Sequence, residues 1–383
     1  AAIHPDNPEY SCAVKKRLPM LTRAELLGQI MRNYDTPIAV AGTHGKTTTT
    51  SMISHILLES DCDPTISVGG ILPVIGGNIR VGNSETFVTE ACEYTNSFLS
   101  FFPKISLILN IDADHLDFFK DIEDIRHSFR LFAEKLPADG TLIINSDTDK
   151  YTEIIRDLPC EIITYGLNSN ADYTAQNIQY NEYGYATFDC VKDGVNLGTY
   201  SLSVPGIHNV SNALATLVLG FKLGLNSEVL KTGLKHFQGT DRRFQYKGKV
   251  GEVTVIDDYA HHPTEIKATL TAAKNYPHKS LWCVFQPHTY TRTKALLPEF
   301  ARALTFADHV VLADIYAARE TDNLGISSRD LQKQILELGT DCHYFSTFDE
   351  IENYLLENCI PGDLLITMGA GDVVNIGEDL LGQ

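Results

Sequence analysis

Seven consecutive residues, Gly42-Thr43-His44-Gly45-Lys46-Thr47-Thr48, offer the chemistry of phosphate binding. They follow the apolar run Ile38-Ala39-Val40-Ala41 and open a stretch, Thr47 to Leu58, in which Met52, Ile53, Ile56 and Leu57 recur at helical spacing. A strand, a glycine-rich turn and a helix start, in that order, aim backbone N–H groups at an anion. Lys46 then reaches the β- and γ-phosphates of a nucleotide, and the Thr47 hydroxyl holds Mg2+. The general phosphate-loop pattern has glycine where this chain has Val40. A glycine-rich turn before a threonine-rich helix start is the plainer alternative.

Two other strand ends carry groups suited to a metal. Glu90 ends the run Phe87-Val88-Thr89, and His115 closes Asn110-Ile111-Asp112-Ala113-Asp114-His115, beyond the run Ile105–Ile111. Open parallel sheets gather ligands at the C-terminal ends of their strands, so both side chains are expected to approach the phosphates. A carboxylate suits Mg2+; an imidazole is less usual for so hard an ion. Taken singly, Glu90 reads as a solvated acid and His115 as a helix-start residue. The segment Asp257-Asp258-Tyr259-Ala260-His261-His262-Pro263-Thr264 ends another strand and opens a helix at Pro263. Its acids and histidines fit a site that binds an amine substrate or guides its proton. Helix capping by an aspartate, beside an incidental histidine pair, is the alternative.

The scaffold that would position these groups is α/β. From Pro37 onward, short β-rich runs alternate with helical stretches, as a parallel sheet requires. The runs Thr86–Thr89, Ile105–Ile111 and Thr141–Asn145 continue the first series. Between Asp172 and Val204, alternating residues with Asn-Glu-Tyr-Gly and Lys-Asp-Gly turns predict appended antiparallel strands. Helices are expected from about Asn209 to Leu223 and ending near His236. A second series has strands Val253–Asp257, Leu281–Phe285, His309–Asp314 and Leu364–Thr367, with helices such as Thr264–Lys274 and Arg329–Leu338. The polar junction Gly239-Thr240-Asp241 divides a central ATP-binding domain of P-loop ATPase type, residues 34–239, from a Rossmann-like C-terminal domain, residues 240–383.

Composition narrows the function. A net charge of −18 over 383 residues argues against a nucleic-acid surface, and no apolar run is long enough to span a bilayer. Eight scattered cysteines without a Cys-x-x-Cys pair read as reduced thiols of a cytosolic protein, not as zinc ligands. The start, Ala1-Ala2-Ile3-His4, lacks the charged-then-apolar order of a secretory signal, and with no initiator Met it reads as the start of a fragment.

The loop Gly42–Thr48, the segment Asn110–Asp117, Pro205-Gly206-Ile207-His208-Asn209 with Asn212, and Asp257–Thr264 resemble, in order, the successive motifs of the Mur ligase family. Gln286-Pro287-His288-Thr289-Tyr290-Thr291-Arg292-Thr293 and Gly369-Ala370-Gly371-Asp372 are similar to its alanine-adding branch. The resemblance covers essentially the whole chain. It implies a cytoplasmic ATP- and Mg2+-dependent carboxylate–amine ligase of peptidoglycan synthesis. Such an enzyme joins L-alanine to the lactyl carboxylate of UDP-N-acetylmuramate through an acyl phosphate, as a monomer or homodimer, with no nucleic-acid partner and no membrane insertion. The rival readings are a ligase that recycles peptides onto the same UDP-sugar and a nucleotide-binding form without catalysis. The Gln286–Thr293 segment argues against the first.

By the same resemblance, Gly42, Thr43, His44, Gly45, Lys46, Thr47 and Thr48 cradle ATP, and Thr47, Glu90 and His115 hold the metal. Asn209 and Asn212, with His208 beside them, meet the adenine side, while Arg243 and Asp258 reach the nucleotide from across the junction. Tyr259, His262 and Arg292 face the muramyl and alanine groups, and Lys46, His262 and Arg292 take part in catalysis. Junction salt bridges for Arg242 and Arg243, and a packed helix position for Asn212, are the structural alternatives. Three departures follow. Thr289 stands where a basic residue is common, so carboxylate recognition leans on Arg292 or another group. Ser128-Phe129-Arg130 offers no lysine for the carbamoylation of sister ligases. Residues 1–33 resemble only the last stretch of a front uridine-binding domain, so an exposed, partly disordered lead-in is expected, with ATP binding retained and ligase activity weak.

Overall fold

Runs of β-branched and aliphatic residues assemble into two sheets. The computed structural model describes residues 3, 5–116, 118–168 and 170–383. Asp117, the last residue of the Asn110–Asp117 motif, lies outside them, as do Ala1, Ala2, His4 and Ser169. The first sheet contains β1 (Thr36–Ala41), β2 (Thr65–Leu72), β3 (Gly77–Arg80), β4 (Thr86–Ala91), β5 (Ile105–Ile108), β6 (Thr141–Asn145), β7 (Glu161–Gly166), β8 (Tyr173–Tyr180), β9 (Tyr185–Lys192) and β10 (Val195–Pro205). Their order is β10-β9-β8-β7-β6-β5-β1-β4-β2-β3. The segment expected to be antiparallel forms β8 to β10, although β8 itself joins β7 in parallel.

β1 is the switch point of this sheet. It pairs in parallel with β4 on one side and β5 on the other, with Val40 opposite Glu90 and Ala41 opposite both Ala91 and Ile108. The loop after β1, the end of β4 and the segment after β5 therefore open onto one crevice. β5 ends at Ile108, short of the expected Ile111. The chain leaves the sheet there to close the phosphate loop, with Thr43 N–H donating to the Asn110 carbonyl. β2 escapes the sequence pattern because Gly69 and Gly70 interrupt it. A Cβ on Gly69 would lie 2.7 Å from a Glu90 carboxylate oxygen, so glycine is what lets that side chain reach the strand.

The second sheet contains β11 (Gln245–Val250), β12 (Val253–Asp258), β13 (Leu281–Phe285), β14 (His309–Leu312), β15 (Asp341–Tyr344) and β16 (Leu364–Met368), in the order β11-β12-β16-β13-β14-β15. All pairs but β11–β12 are parallel. Here too a strand is shorter than expected: β14 stops at Leu312, and Asp314 lies beyond it, accepting from the Tyr344 hydroxyl.

Helices bury both faces of each sheet. In Lys46–Glu59, Met52, Ile53, Ile56 and Leu57 are buried as the periodicity predicts. Thr49, Thr50, Ser51 and Ser54 are buried as well, because helices Ile207–Lys222 and Ser227–His236 pack on this helix too. The expectation for residues 1–33 needs correction. Helix Pro8–Lys15 has no buried residue, but Arg23–Met31 is capped by a Thr22–Glu25 box and docks on the first sheet's helical layer. Met31 is fully buried, and Gly28 touches the Ser100 carbonyl so closely that a Cβ would lie 2.0 Å from it.

Candidate active site

The phosphate loop is shaped by two glycines. Gly42 has φ 150° and Gly45, at the helix N-terminus, has φ 81°, a conformation that penalises side chains. A Cβ on Gly45 would also lie 2.7 Å from the Asn212 side-chain oxygen, so the loop rests directly on helix Ile207–Lys222. Asn110 closes the loop, accepting from His44 N–H at 2.8 Å and donating to the His44 carbonyl at 3.0 Å.

Lys46 is folded back over this loop. Its Nζ donates to the carbonyls of Gly42 (2.5 Å) and Thr43 (3.0 Å) and to Glu93 Oε2 (2.9 Å). Burial alone would lower the Lys46 pKa, but the charge and hydrogen bond of Glu93, with Cys92 and Glu90 nearby, together outweigh it and hold the ammonium charged. Glu93 is 2% exposed, and among the described residues its Oε1 has no partner. Sequence reasoning did not single it out; its only signal was its place three residues after Glu90.

Thr47 Oγ1 donates to Glu90 Oε2 at 3.1 Å, and Glu90 Oε1 accepts from Gly69 N–H. Burial raises the Glu90 pKa against that hydrogen bond and the charge of Lys46. His115 has φ 54°, stacks on Tyr94 at 4.5 Å and lies 3.8 Å from Asp114. Burial lowers its pKa, while the charges of Asp114 and Glu93 oppose that shift.

The second sheet supplies the opposite wall. His44 is gripped from both sides, its Nε2 at 3.4 Å from Asp112 and its Nδ1 at 3.2 Å from Glu265. Burial opposes its charge, yet these two carboxylates raise its pKa to about 9. Thr264 Oγ1 donates to Asp112 at 2.7 Å, and His262 Nε2 lies 3.1 Å from the Ala113 carbonyl. Arg292 Nε donates to Asp114 at 3.0 Å. Burial would raise the Asp114 pKa, but Arg292 and the neighbouring histidines hold it well below the usual carboxylate range.

The capping alternative resolves in an unexpected way. His262, and no aspartate, caps helix Pro263–Ala273, accepting from Thr264 N–H at Nδ1. Asp258 accepts from the N–H groups of Phe244 and Ala260, and burial raises its pKa to about 6. Arg242 is a junction clamp: it pairs with Asp257 and donates to the carbonyls of Gly369 and Gly371. Arg243 is less committed, with Glu265 3.9 Å away and the Tyr259 ring 5.3 Å from its guanidinium carbon. Gln286 donates to Asp372 and accepts from Val373 N–H, so the Gln286–Thr293 and Gly369–Asp372 motifs brace each other.

Two clefts open at this junction. The larger, about 370 Å³, is lined by His44, Gly45, Thr48, Asn209, Asn212, Arg243 and Asp258, with His208 and Glu265 beside them. Its size is that of a small-molecule site. The second, about 270 Å³, is lined by Asp114, His115, Thr289, Arg292 and Lys294. Tyr259 and His262 line neither. Tyr259 lies under the two arginines, and His262 faces the chain at Ala113. Asn212 is both packed and cleft-lining, donating to Asn209 while bordering the loop.

A hard cation fits the oxygens of Thr47 and Glu90, a hydroxyl paired with a half-buried carboxylate. Among the described residues, one group of three, His44, Asp112 and His262, gathers ligand atoms within 4.8 Å. The ring nitrogens of both histidines are already hydrogen-bonded, and His44 is held charged, so this group is an interface clamp and not a metal set.

A profile described as the Mur ligase middle domain matches residues 40–220, and one described as Mur ligase, glutamate ligase domain, matches residues 242–371. The chain belongs to the Mur ligase family. It is 64% identical over 381 residues to the UDP-N-acetylmuramate–L-alanine ligase of Agathobacter rectalis, covering 100% of this chain and 83% of that one. It is 62% identical over 382 residues to the enzyme of the same name from Lachnospira eligens, with the same coverage. Among solved structures, the UDP-N-acetylmuramate–alanine ligase of Thermotoga maritima superposes with a TM-score of 0.84 at 28% identity, covering 100% of this chain and 83% of that one. A murein peptide ligase from Psychrobacter arcticus, 22% identical, shares the fold with a TM-score of 0.73, covering 100% of this chain and 84% of that one. No helix among the described residues is long and apolar enough to cross a membrane.

Proposed function

We propose that this protein ligates L-alanine to the lactyl carboxylate of UDP-N-acetylmuramate, consuming ATP, in peptidoglycan synthesis in the cytoplasm. The observation that carries the reading is a half-buried, charged Lys46 in a strand–loop–helix turn, whose neighbours His44, Gly45 and Thr48 share a cleft with Arg243 and Asp258. Relatives that carry this activity by name are more than 60% identical along the whole chain. Residues 34–239 act as the nucleotide-binding unit and residues 240–383 as the unit that closes over it.

The substrate carboxylate attacks the γ-phosphorus of ATP and ADP departs, leaving an acyl phosphate. The alanine amine then attacks the acyl carbon, phosphate leaves with the bonding electrons, and the amine gives up a proton. Lys46 balances charge on the phosphoryl group in transfer, and the N–H groups of the loop hold the phosphates. Asn209, Asn212, Arg243 and Asp258 fix the nucleoside side, while Arg292 positions the second substrate from the other cleft. His262 is held neutral by burial, as a proton acceptor must be, but here both ring nitrogens are engaged. Its part in this arrangement is to keep the two walls in register. The acyl phosphate needs shelter from water, which the contacts of His44, His262, Thr264 and Arg292 across the junction provide.

Phosphate release that requires ATP, UDP-N-acetylmuramate and L-alanine together is the expected result, with the ligated product seen by mass. ATP binding without release under any such combination would favour the non-catalytic reading instead.

Mg2+, when bound, would neutralise phosphate charge, and Thr47, Glu90 and His115 are the residues proposed to hold it. Glu90→Gln and His115→Ala are each expected to lower activity about 10- to 100-fold, with partial recovery at high Mg2+. Losses that no Mg2+ concentration relieves would assign both residues to scaffolding.

A further inference from the structure

Arg292 lines the second cleft, and a segment strapped to the wall of that cleft carries another guanidinium, that of Arg319. Arg292 is tied to Asp114 and to the His288 ring, 3.2 Å from its Nδ1. Arg319 is exposed, and among the described residues it has no carboxylate within ion-pair distance. Its neighbour Glu320 cannot serve, because that carboxylate accepts from the N–H groups of Tyr290 and Thr291 and from the Thr291 hydroxyl. The same bonds fix where Arg319 stands. Tyr316 N–H donates to the Pro287 carbonyl, Thr289 N–H donates to the Tyr316 carbonyl, and the His288 and Tyr316 rings stack at 5.6 Å. The segment bearing Arg319 is thus strapped along Pro287–Thr291, the segment that enters the second cleft.

From there Arg319 reaches the first sheet. Its guanidinium carbon lies 5.6 Å from the centre of the Tyr94 ring, and Tyr94 stacks on His115 at 4.5 Å. Arg292 touches the His288 ring, and the segment carrying Arg319 stacks Tyr316 on the same ring, so both guanidinium groups bring positive charge near His288. That region carries one uncompensated positive charge beside the proposed metal-side residue His115.

We infer that Arg319 binds the α-carboxylate of the amino acid substrate and so selects L-alanine as an α-amino acid. This rests on the ligase reading above. The amine and carboxylate of an α-amino acid share one carbon, which keeps them about 2.5 Å apart. A group that holds the carboxylate must therefore lie beside the reacting centre, as Arg319 does through Tyr94 and His115. The planar fork of arginine matches a carboxylate in two parallel hydrogen bonds, and its exposed position leaves both free for a ligand.

The test compares wild type with Arg319→Ala and Arg319→Lys, using L-alanine and L-alaninamide as alternative acceptors in the phosphate-release assay. Arg319→Ala is expected to raise KM for L-alanine about 10- to 100-fold and to leave KM for ATP unchanged. It should also abolish the preference for L-alanine over L-alaninamide, with Arg319→Lys recovering part of that preference. A merely structural role would weaken both acceptors alike. An unchanged preference in Arg319→Ala overturns the inference, as does a loss confined to KM for UDP-N-acetylmuramate, which would assign Arg319 to a phosphate of that substrate. Absence of L-alanine-dependent release in the wild type would instead overturn the ligase reading itself.

Discussion

Lys46→Ala is expected to abolish ATP turnover, by at least about 10³-fold, and also to destabilise the protein. The first effect follows from its place: among the described residues no other ammonium lies over the Gly42 and Thr43 carbonyls at the mouth of the phosphate loop. The second follows from Glu93. With Lys46 gone, a carboxylate that is 2% exposed loses the one cation it pairs with among the described residues, while its Oε1 already has no partner there. Removing one member of such a buried pair costs about 3–5 kcal/mol. Glu93→Gln in the Lys46→Ala background removes the stranded charge and is expected to recover most of the stability without recovering turnover. Urea unfolding and phosphate release on the single and double variants separate the two effects. Undiminished turnover in Lys46→Ala would end the phosphate-loop assignment. A single variant as stable as wild type would show that Glu93 does not depend on Lys46.

That Glu93 had to come from the structure illustrates what the sequence could and could not reveal. Lys46, Thr47 and their helix were legible because strand, glycine turn and helix start are consecutive in the chain, and each step is local. Met52, Ile53, Ile56 and Leu57 were legible from helical period alone. Strand β2 was hidden by Gly69 and Gly70, whose purpose is to admit the Glu90 side chain, a contact no periodicity records. The docking of Arg23–Met31 was hidden similarly, since it depends on Gly28 meeting the Ser100 carbonyl. The clamp across the junction joins residues far apart in sequence: His44 to Glu265, Asp112 to Thr264 and Asp114 to Arg292. The motifs containing them were visible, but not which acid answers which base. Asp112 and Asp114 sat within a recognised segment without a role, and Glu265 was simply the next residue after one.

Raising the pH from 6.5 to 9 is expected to weaken this clamp through His44. Its pKa in the folded protein is about 9, above the ordinary histidine value of about 6.5. The charged form is therefore favoured by folding, and its contribution is fully present below pH 6.5 and lost as pH rises through 9. From that difference the loss is about 3 kcal/mol. Other groups nearby act in other windows. Asp112 and Glu265 have lowered pKa values, so their contributions fail only in acid. His208 and His261 are pushed down to about 4 by burial, and His262 is lowered too, so they cost stability as pH falls below 6.5. The thiols of Cys190, Cys342 and Cys359, raised to about 12 by burial, cost stability as the unfolded thiols ionise, from about pH 8 upward. Between about pH 6.5 and 8 the slope thus belongs mainly to His44. The urea midpoint of wild type should fall across this range, and His44→Asn should start lower and stay nearly flat. A wild-type midpoint that is constant from about pH 6.5 to 8, or an equal slope in His44→Asn over that range, would mean that His44 is not held charged between Asp112 and Glu265.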